Sequence, residues 1–422
     1  YNAGVYADPV PIVFYDLRGS KDGAKQMETL GQGLQSSFDL ESGPLLKVGH
    51  FKLSDGDRLA LIVHHLVVDG VSWRILLEDL ATLYTQCLSS KKLELPLKTD
   101  SFQRWASLQK AHAATERFQA ERPYWEQVSA QSTEEFPRDK AGSGQVVKIH
   151  DSVSFTLNKS ITERLQTEVH GVYNTEVNDI LLTALGLAVR DTFGVDKSVV
   201  QMEGHGREEI IEDVDIGRTV GWFTSVYPFV LDMAGHDDAL SNLVEVKEGL
   251  RRIPNKGIGY GMHRYLSDDP IPGTGAPIEF NYLGDFGDNV GDGSDSVFEY
   301  SSEGIGAEIG PEIGSDVLLS VSGMLVSGRL SMSIGFSKEA YHVKTIKRLS
   351  KSYRTNLEGL IEQLGAIGER RLTPSDLTFK GLSIENLSKI NPDNTLEDLY
   401  KLSPLQQGIY YHWLADSSTS MY

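Results

Sequence analysis

Two imidazoles and a carboxylate fall within "HHLVVDG" (64–70), at His64, His65 and Asp69. A second polar cluster, "EGHGREE" (203–209), holds Glu203, His205 and Arg207 around Gly204 and Gly206. A third stretch, "EFNYLGDF" (279–286), carries Asn281 and Tyr282, an amide and a phenol that can donate hydrogen bonds. Imidazole and carboxylate are the usual side-chain acids and bases of proton transfer, and both also bind metals or fill cores as satisfied polar groups. Adjacent strand residues point to opposite faces, so His64 and His65 do not easily ligate one ion, and each should have its own surroundings. On these residues alone the first cluster stays open between catalysis, structure and metal binding. Asp69 before Gly70 also reads as a turn or helix-cap residue. His205 and Glu209 cannot form a HExxH zinc helix, because the glycines interrupt it, and a satisfied loop is the plainer reading of that cluster.

The elements that must hold these residues are visible in the hydropathy pattern. "RLALIVHHL" (58–66) is a short bounded apolar run, expected as a buried strand. After Gly70, apolar residues recur at Trp73, Leu76, Leu77, Leu80, Tyr84, Cys87 and Leu88 with helical spacing, which places His64 to Asp69 at a strand–helix junction. Cys87 falls on the apolar side of that helix and is expected in the core. Strand-like alternation restarts in "VVKIHDSVSFTL" (146–157), a helix is expected over 175–193, and 198–208 reads as a strand entering a loop. Leu330, Met332, Ile334 and Phe336 alternate as a half-buried strand, and 341–364 is an amphipathic helix. The polar stretch 131–145 is the expected boundary, 365–394 reads as a linker, and "LEDLYKLSPLQQGIYYHWL" (396–414) is compact and aromatic-rich. No repeat of 20–50 residues is seen. Strands and helices alternate through both halves, so the expected class is α/β (α+β) in two lobes.

Composition narrows the function. The chain has 422 residues, 40% of them hydrophobic, and a net charge of −19, which disfavours nucleic acid and anionic membrane as partners. A single cysteine excludes an intrachain disulfide and a CxxC metal site and fits a cytoplasmic compartment. No apolar run approaches the roughly 20 residues of a membrane span, and the first residues do not read as a signal peptide. The chain lacks an initiator Met and reads as a fragment. "RTVGWFTSVYPFVL" (218–231) sets Trp222, Phe223 and Tyr227 around Gly221, as core or channel lining. "PNKGIGYG" (254–261) is not a dinucleotide fingerprint, and "GDFGDNVGDGSD" (284–295) lacks calcium-loop spacing and reads as a surface loop.

Taken in order, these stretches resemble the epimerization domains of non-ribosomal peptide synthetases, within the condensation-domain superfamily related in fold to chloramphenicol acetyltransferase. "HHLVVDGVSW" matches the superfamily HHxxxDG motif, while "EGHGRE", "RTVGWFTSVYP" and "FNYLG" are similar to the epimerization versions. "SFQRWASLQ" (101–109) and "NDILLTALG" (178–186) fit as well. The resemblance covers residues 1–372. The family's PIQxWF-like opening and the LGGxS-like carrier motif are absent, and the tail resembles the start of a following condensation domain. The resemblance implies two acetyltransferase-like lobes, each a mixed sheet with helices, in a V-shaped arrangement with a central tunnel. The expected domains are 1–145, incomplete at its start, then 146–372, then 373–422 as linker and start of the next domain.

The function so implied is inversion of the α-carbon of an aminoacyl or peptidyl thioester on a peptidyl carrier protein. His65 and Glu203 are carried over as the acid–base pair. Asn281 and Tyr282 would position or polarise the thioester carbonyl, His64 and Asp69 would hold the first loop, and His205 and Arg207 would shape the second. Trp222, Phe223 and Tyr227 would line the pocket or tunnel. No metal and no cofactor bound by the domain are implied; substrate arrives on the carrier's phosphopantetheine arm. The partners implied are an upstream carrier and a downstream condensation domain. The alternatives are a condensation domain forming peptide bonds with the same HHxxxDG, and a non-catalytic scaffold that docks carriers.

Overall fold

Leu319, Val321 and Leu325 alternate with Ser320 and Ser322, and Leu330, Met332, Ile334 and Phe336 alternate with Ser331 and Ser333. Paired in register, two such segments must make one apolar face and one hydroxyl face. The computed structural model describes residues 10–131, 135–141, 147–149, 151–285, 297–301, 303–310 and 312–415. The expected boundary beside residue 145 and most of the 284–295 loop lie outside the described residues. The described strands are β1 (Ile12–Asp16), β2 (Leu46–Leu53), β3 (Gly56–Val63), β4 (Asp151–Thr156), β5 (Lys197–Gly204), β6 (Ser225–Asp232), β7 (Ile278–Asp285), β8 (Leu319–Val326) and β9 (Arg329–Phe336). The helices are α1 (Gly23–Gln35), α2 (Gly70–Leu88), α3 (Phe102–His112), α4 (Glu116–Gln119), α5 (Arg122–Ser129), α6 (Lys159–Gln166), α7 (Val177–Phe193), α8 (Ala239–Arg251), α9 (Ile258–Tyr265), α10 (Val343–Gly365), α11 (Ile384–Ile390) and α12 (Pro404–Ala415). The class is mixed α/β, and none of the described helices is long and apolar enough to cross a membrane.

The chain forms two compact units from non-contiguous stretches. The first unit takes residues 1–156, 198–230 and 254–350. It contains a three-stranded sheet of order β1-β2-β3, with β1 parallel and β3 antiparallel to β2. Met27 and Leu34 of α1 pack with Phe51, Leu53, Ala60 and Ile62 to form its core. A six-stranded mixed sheet has the order β4-β9-β8-β7-β5-β6. Its register puts Ser154 opposite Ser333, Ser333 opposite Ser322, Ser322 opposite Asn281, and Glu279 opposite Gln201. The sheet thus carries a half-buried to exposed polar face from β4 to β5, while Phe155, Ile334, Val321, Phe280 and Met202 occupy the other face and are buried.

The second unit takes residues 157–197, 231–253 and 351–422. Its helix α7 is buried on nearly every side, as its run of Ile, Leu and Ala demands. The segment expected as a linker is fixed in place here. Lys247 of α8 has no accessible side chain and donates to Tyr173 O at 2.6 Å, Thr373 Oγ1 at 2.7 Å and both Asp376 oxygens at 2.8 Å. Glu248 accepts from Thr373 Oγ1 and Ser375. Leu377, next to Asp376 in the chain, and Leu387 of α11 are buried. The segment lacks long-range periodicity because it is held by a few specific contacts rather than by a repeating apolar stripe. No residue of α12 is buried.

Two expectations about the first loop are corrected. The strand stops at Val63, and His65–Val67 is a turn of 3₁₀ helix, so the histidines lie past the strand rather than within it. Cys87 is exposed. Along α2 only Ser72 and Ile75 are buried, and Tyr84 and Leu88 in the later turns are open. Helical spacing identifies which side of a helix is apolar; it does not say how far along the helix a packing layer reaches.

Candidate active site

The two histidines diverge because the chain turns between them. His64 keeps extended backbone, and its Nδ1 accepts from Leu66 N at 3.2 Å while its ring meets Phe38 edge-on at 5.8 Å. His65 is exposed, and its ring sits 5.0 Å from that of Trp222 at 60°. Trp222 is 44% exposed, so this ring pair is open rather than core. The separate surroundings expected for the two rings are present, but they arise from a turn and not from strand alternation.

Asp69 closes the loop and begins α2. Its Oδ1 accepts from Ser72 N at 2.7 Å, an N-cap bond that satisfies one of the free amides of the first helical turn. Arg207 Nη2 donates to Oδ1 at 3.1 Å and Oδ2 at 3.2 Å, and Phe223 N donates to Oδ2 at 3.1 Å. Arg207 Nη1 donates to the carbonyls of Ile216 and Thr219, both at 2.8 Å, and the guanidinium lies 3.9 Å from the Phe223 ring centroid. Ser72 Oγ donates to Gly221 O and accepts from Gly221 N. Asp69 follows His65 by four residues and Arg207 follows Glu203 by four. One buried ion pair, hydrogen-bonded through both Arg207 terminal nitrogens, therefore ties the two loops that carry the candidate acid and base.

Glu203 lies near the end of β5. β5 and β7 are parallel, with Gln201 opposite Glu279 and Met202 opposite Phe280, so the next pair is Glu203 and Asn281. Asn281 Nδ2 donates to Glu203 Oε2 at 2.6 Å. The Glu203 carboxyl is pushed up to about 7, first by burial, then by the charge of Glu279 and a hydrogen bond with it; Asn281 acts in the opposite direction. Ser320 Oγ donates to Glu279 Oε2 at 3.2 Å. Beyond Glu203 the chain turns at Gly206, with φ +66°, where a Cβ would lie 1.6 Å from Phe223 O. Only glycine lets the backbone pass so close.

The remaining candidates are distributed around this centre. His205 points its Nδ1 at Arg207 N, 3.0 Å away, and its Nε2 at Glu208, 3.0 Å away, within its own loop. Phe223 is buried in an apolar cluster with Trp105, Phe118 and Ile258, and Tyr227 is buried with its phenol pushed up to about 12 by burial. Asn281 and Tyr282 part company, as neighbours on a strand must: Asn281 joins Glu203, while the Tyr282 ring lies by Gly323 on the opposite face. Among the described residues no group of three or more His, Cys, Asp and Glu side chains is placed to hold a metal ion. Sequence reasoning missed Glu279 and Ser72. Alternation through "IEFN" does put Glu279 on the Asn281 side, but that Glu203 faces them follows only from the parallel pairing.

The sequence profile of the condensation domain matches residues 6–376. The chain belongs to the condensation-domain family. This condensation-family chain is 42% identical over 397 residues to surfactin synthase subunit 1 of Bacillus subtilis (strain 168), a match covering 92% of the chain and 11% of that protein. It is 42% identical over 395 residues to tyrocidine synthase 2 of Brevibacillus parabrevis, covering 92% of the chain and 11% of that protein. It therefore spans only about a ninth of either relative. Its fold is similar to the crystal structure of the epimerization domain from the third module of tyrocidine synthetase B, with a TM-score of 0.80 and 41% identity, covering 86% of this chain and 82% of that one. The first condensation domain of the calcium-dependent antibiotic synthetase, at 18% identity and a TM-score of 0.60 over 87% of this chain and 78% of that one, shares the fold.

Proposed function

We propose that this domain inverts the α-carbon of an aminoacyl or peptidyl thioester, L to D, presented on the phosphopantetheine arm of a peptidyl carrier protein. The observation that carries the reading is the Glu203 carboxyl, half-buried, bonded by Asn281 and held near 7. A thioester α-proton is only weakly acidic, so its removal needs a positioned base and a donor for the enolate oxygen. One of Glu203 and His65 takes the proton from one face of the α-carbon, leaving an enolate. The other delivers a proton to the opposite face. No other bond breaks and no electrons are gained or lost, so the chemistry needs no cofactor. A carboxyl near 7 is populated in both states at neutral pH, which suits a group that gives in one direction and takes in the other. The Asn281 amide is the group assigned to the enolate oxygen, and Trp222 beside His65 the pocket wall. The similarity to an epimerization domain at 41% identity supports the reading. A carrier upstream and a condensation domain downstream complete it, in the cytoplasm.

A second reading, peptide-bond formation, is favoured by the HHxxxDG loop and by the family profile itself. A third is a scaffold that docks carriers without chemistry. A carrier loaded with an L-aminoacyl or peptidyl group separates them. D product with α-deuterium uptake from D₂O supports epimerization, amide product supports condensation, and neither supports the scaffold. Glu203→Gln and His65→Ala are each expected to abolish deuterium uptake; full activity in either removes that residue from the mechanism.

A further inference from the structure

The polar face of the six-stranded sheet brings a second carboxyl to Glu203 that none of the recognised motifs contains. Glu279 lies one residue before "FNYLG" and shares the face of β7 with Asn281, beside the Glu203 strand. Asn281 holds Glu203 Oε2 from one direction, and Ser320 Oγ holds Glu279 Oε2. Continued along the two strands, the register sets Glu279 diagonally across from Glu203 on the same face of the sheet, where the charge of Glu279 acts on Glu203. We infer that Glu279 is a positioning residue for proton transfer, its carboxyl beside Glu203 on the polar face favouring the protonated form of Glu203 while the site is empty. The inference rests on the epimerase reading for its role in turnover, but not for the existence of the pair.

A neighbouring like charge disfavours ionisation of a carboxyl, so Glu279 raises the proton affinity of Glu203. When Glu203 passes its proton to the substrate carbon, its new charge stands beside Glu279, and this repulsion favours taking a proton back. Glu279 would thus make one glutamate serve as acid in one direction and base in the other. The other groups around Glu203 do not replace it. Gln201, on the same strand, is neutral. β6 brings Ser225 and Tyr227 beside Gly204, a hydroxyl and a phenol that are uncharged near neutral pH. His205 and Lys256 are engaged with Glu208, at 3.0 and 3.8 Å. His65 is its partner in the proposed reaction.

The test is a titration of Glu203 itself, by carboxyl carbon NMR of the whole chain labelled at glutamate, with the resonance assigned by its loss in Glu203→Gln. In folded Glu279→Gln the Glu203 midpoint should fall by about one pH unit or more, the usual size of a like-charge effect at this range. Glu279→Asp, which keeps the charge, should recover part of that fall. The limb of the deuterium-uptake profile near pH 7 should move to lower pH by the same amount. An unmoved midpoint in folded Glu279→Gln overturns the inference, whether or not the domain epimerizes. A moved midpoint in a domain that yields no D product keeps the carboxyl pair and removes the epimerase reading instead.

Discussion

Holding a carboxyl protonated up to about pH 7 has a thermodynamic consequence that a passive side chain would not have. Glu203 rises from 4.5 to about 7 on folding, so between those values the native chain retains a proton that the unfolded chain has lost. Stability must then fall as pH rises through this window and level off above it, by at most about 3 kcal/mol. Glu203→Gln removes the carboxyl but keeps its shape. Denaturant unfolding at pH 8 should find this variant more stable than the parent even though deuterium uptake is lost. At pH 4 the two should be close. Asn281→Ala should slow uptake by about 10²–10³, the usual cost of one lost oxyanion donor, and should raise the Glu203 midpoint, since its bond now lowers it. A small rate effect would remove Asn281 from the carbonyl role. Asp69→Ala leaves Arg207 charged and buried and strips the cap from α2; a loss of about 3–5 kcal/mol in unfolding free energy is expected. Asp69 was legible as a cap from its place before Gly70. Its partner Arg207 was not, because 138 residues separate the two along the chain.

The elements were legible where hydropathy has a clear period. β9, α7 and α10 fall where alternation and helical spacing place them. The end of β3 did not, because "VHHLVV" continues an apolar pattern through a turn whose reason is tertiary: Val68 and Asp69 are buried while His65 to Val67 stand open. The loop after β5 shows the same dependence. Gly206 reads in sequence as a generic loop glycine; in the fold its Cα faces the Phe223 carbonyl so closely that no side chain fits. Gly206→Ala should push the Arg207 loop off Asp69, lower the melting temperature, and reduce uptake without touching either proposed proton carrier. Both a strained left-handed backbone and a backbone collision oppose it, so the stability loss should exceed the ~1 kcal/mol of a simple Gly→Ala mismatch. An unchanged melting point would mean that the loop relaxes at no cost.

On the scale of the whole molecule, the second unit is closed by a buried lysine. Lys247→Met should leave Asp376 buried without its cation, costing about 3–5 kcal/mol, and should free residues 373–390 to exchange amide hydrogens faster. Unchanged protection over 373–390 would show that Leu377 and Leu387 hold the segment without the polar knot. The sequence by itself determined the α/β class and the family through HHLVVDG, EGHGRE and FNYLG, and it proposed His64, His65, Asp69, Glu203 and Asn281 as site residues, because these depend on short-range spacing and residue type. Only the tertiary structure decided that Asp69 meets Arg207, that Asn281 and not Tyr282 meets Glu203, and that Glu279 stands beside both. Those meetings follow from which strands pair, in which direction and in which register. Such choices are made by contacts between residues far apart in sequence, and local pattern carries little trace of them.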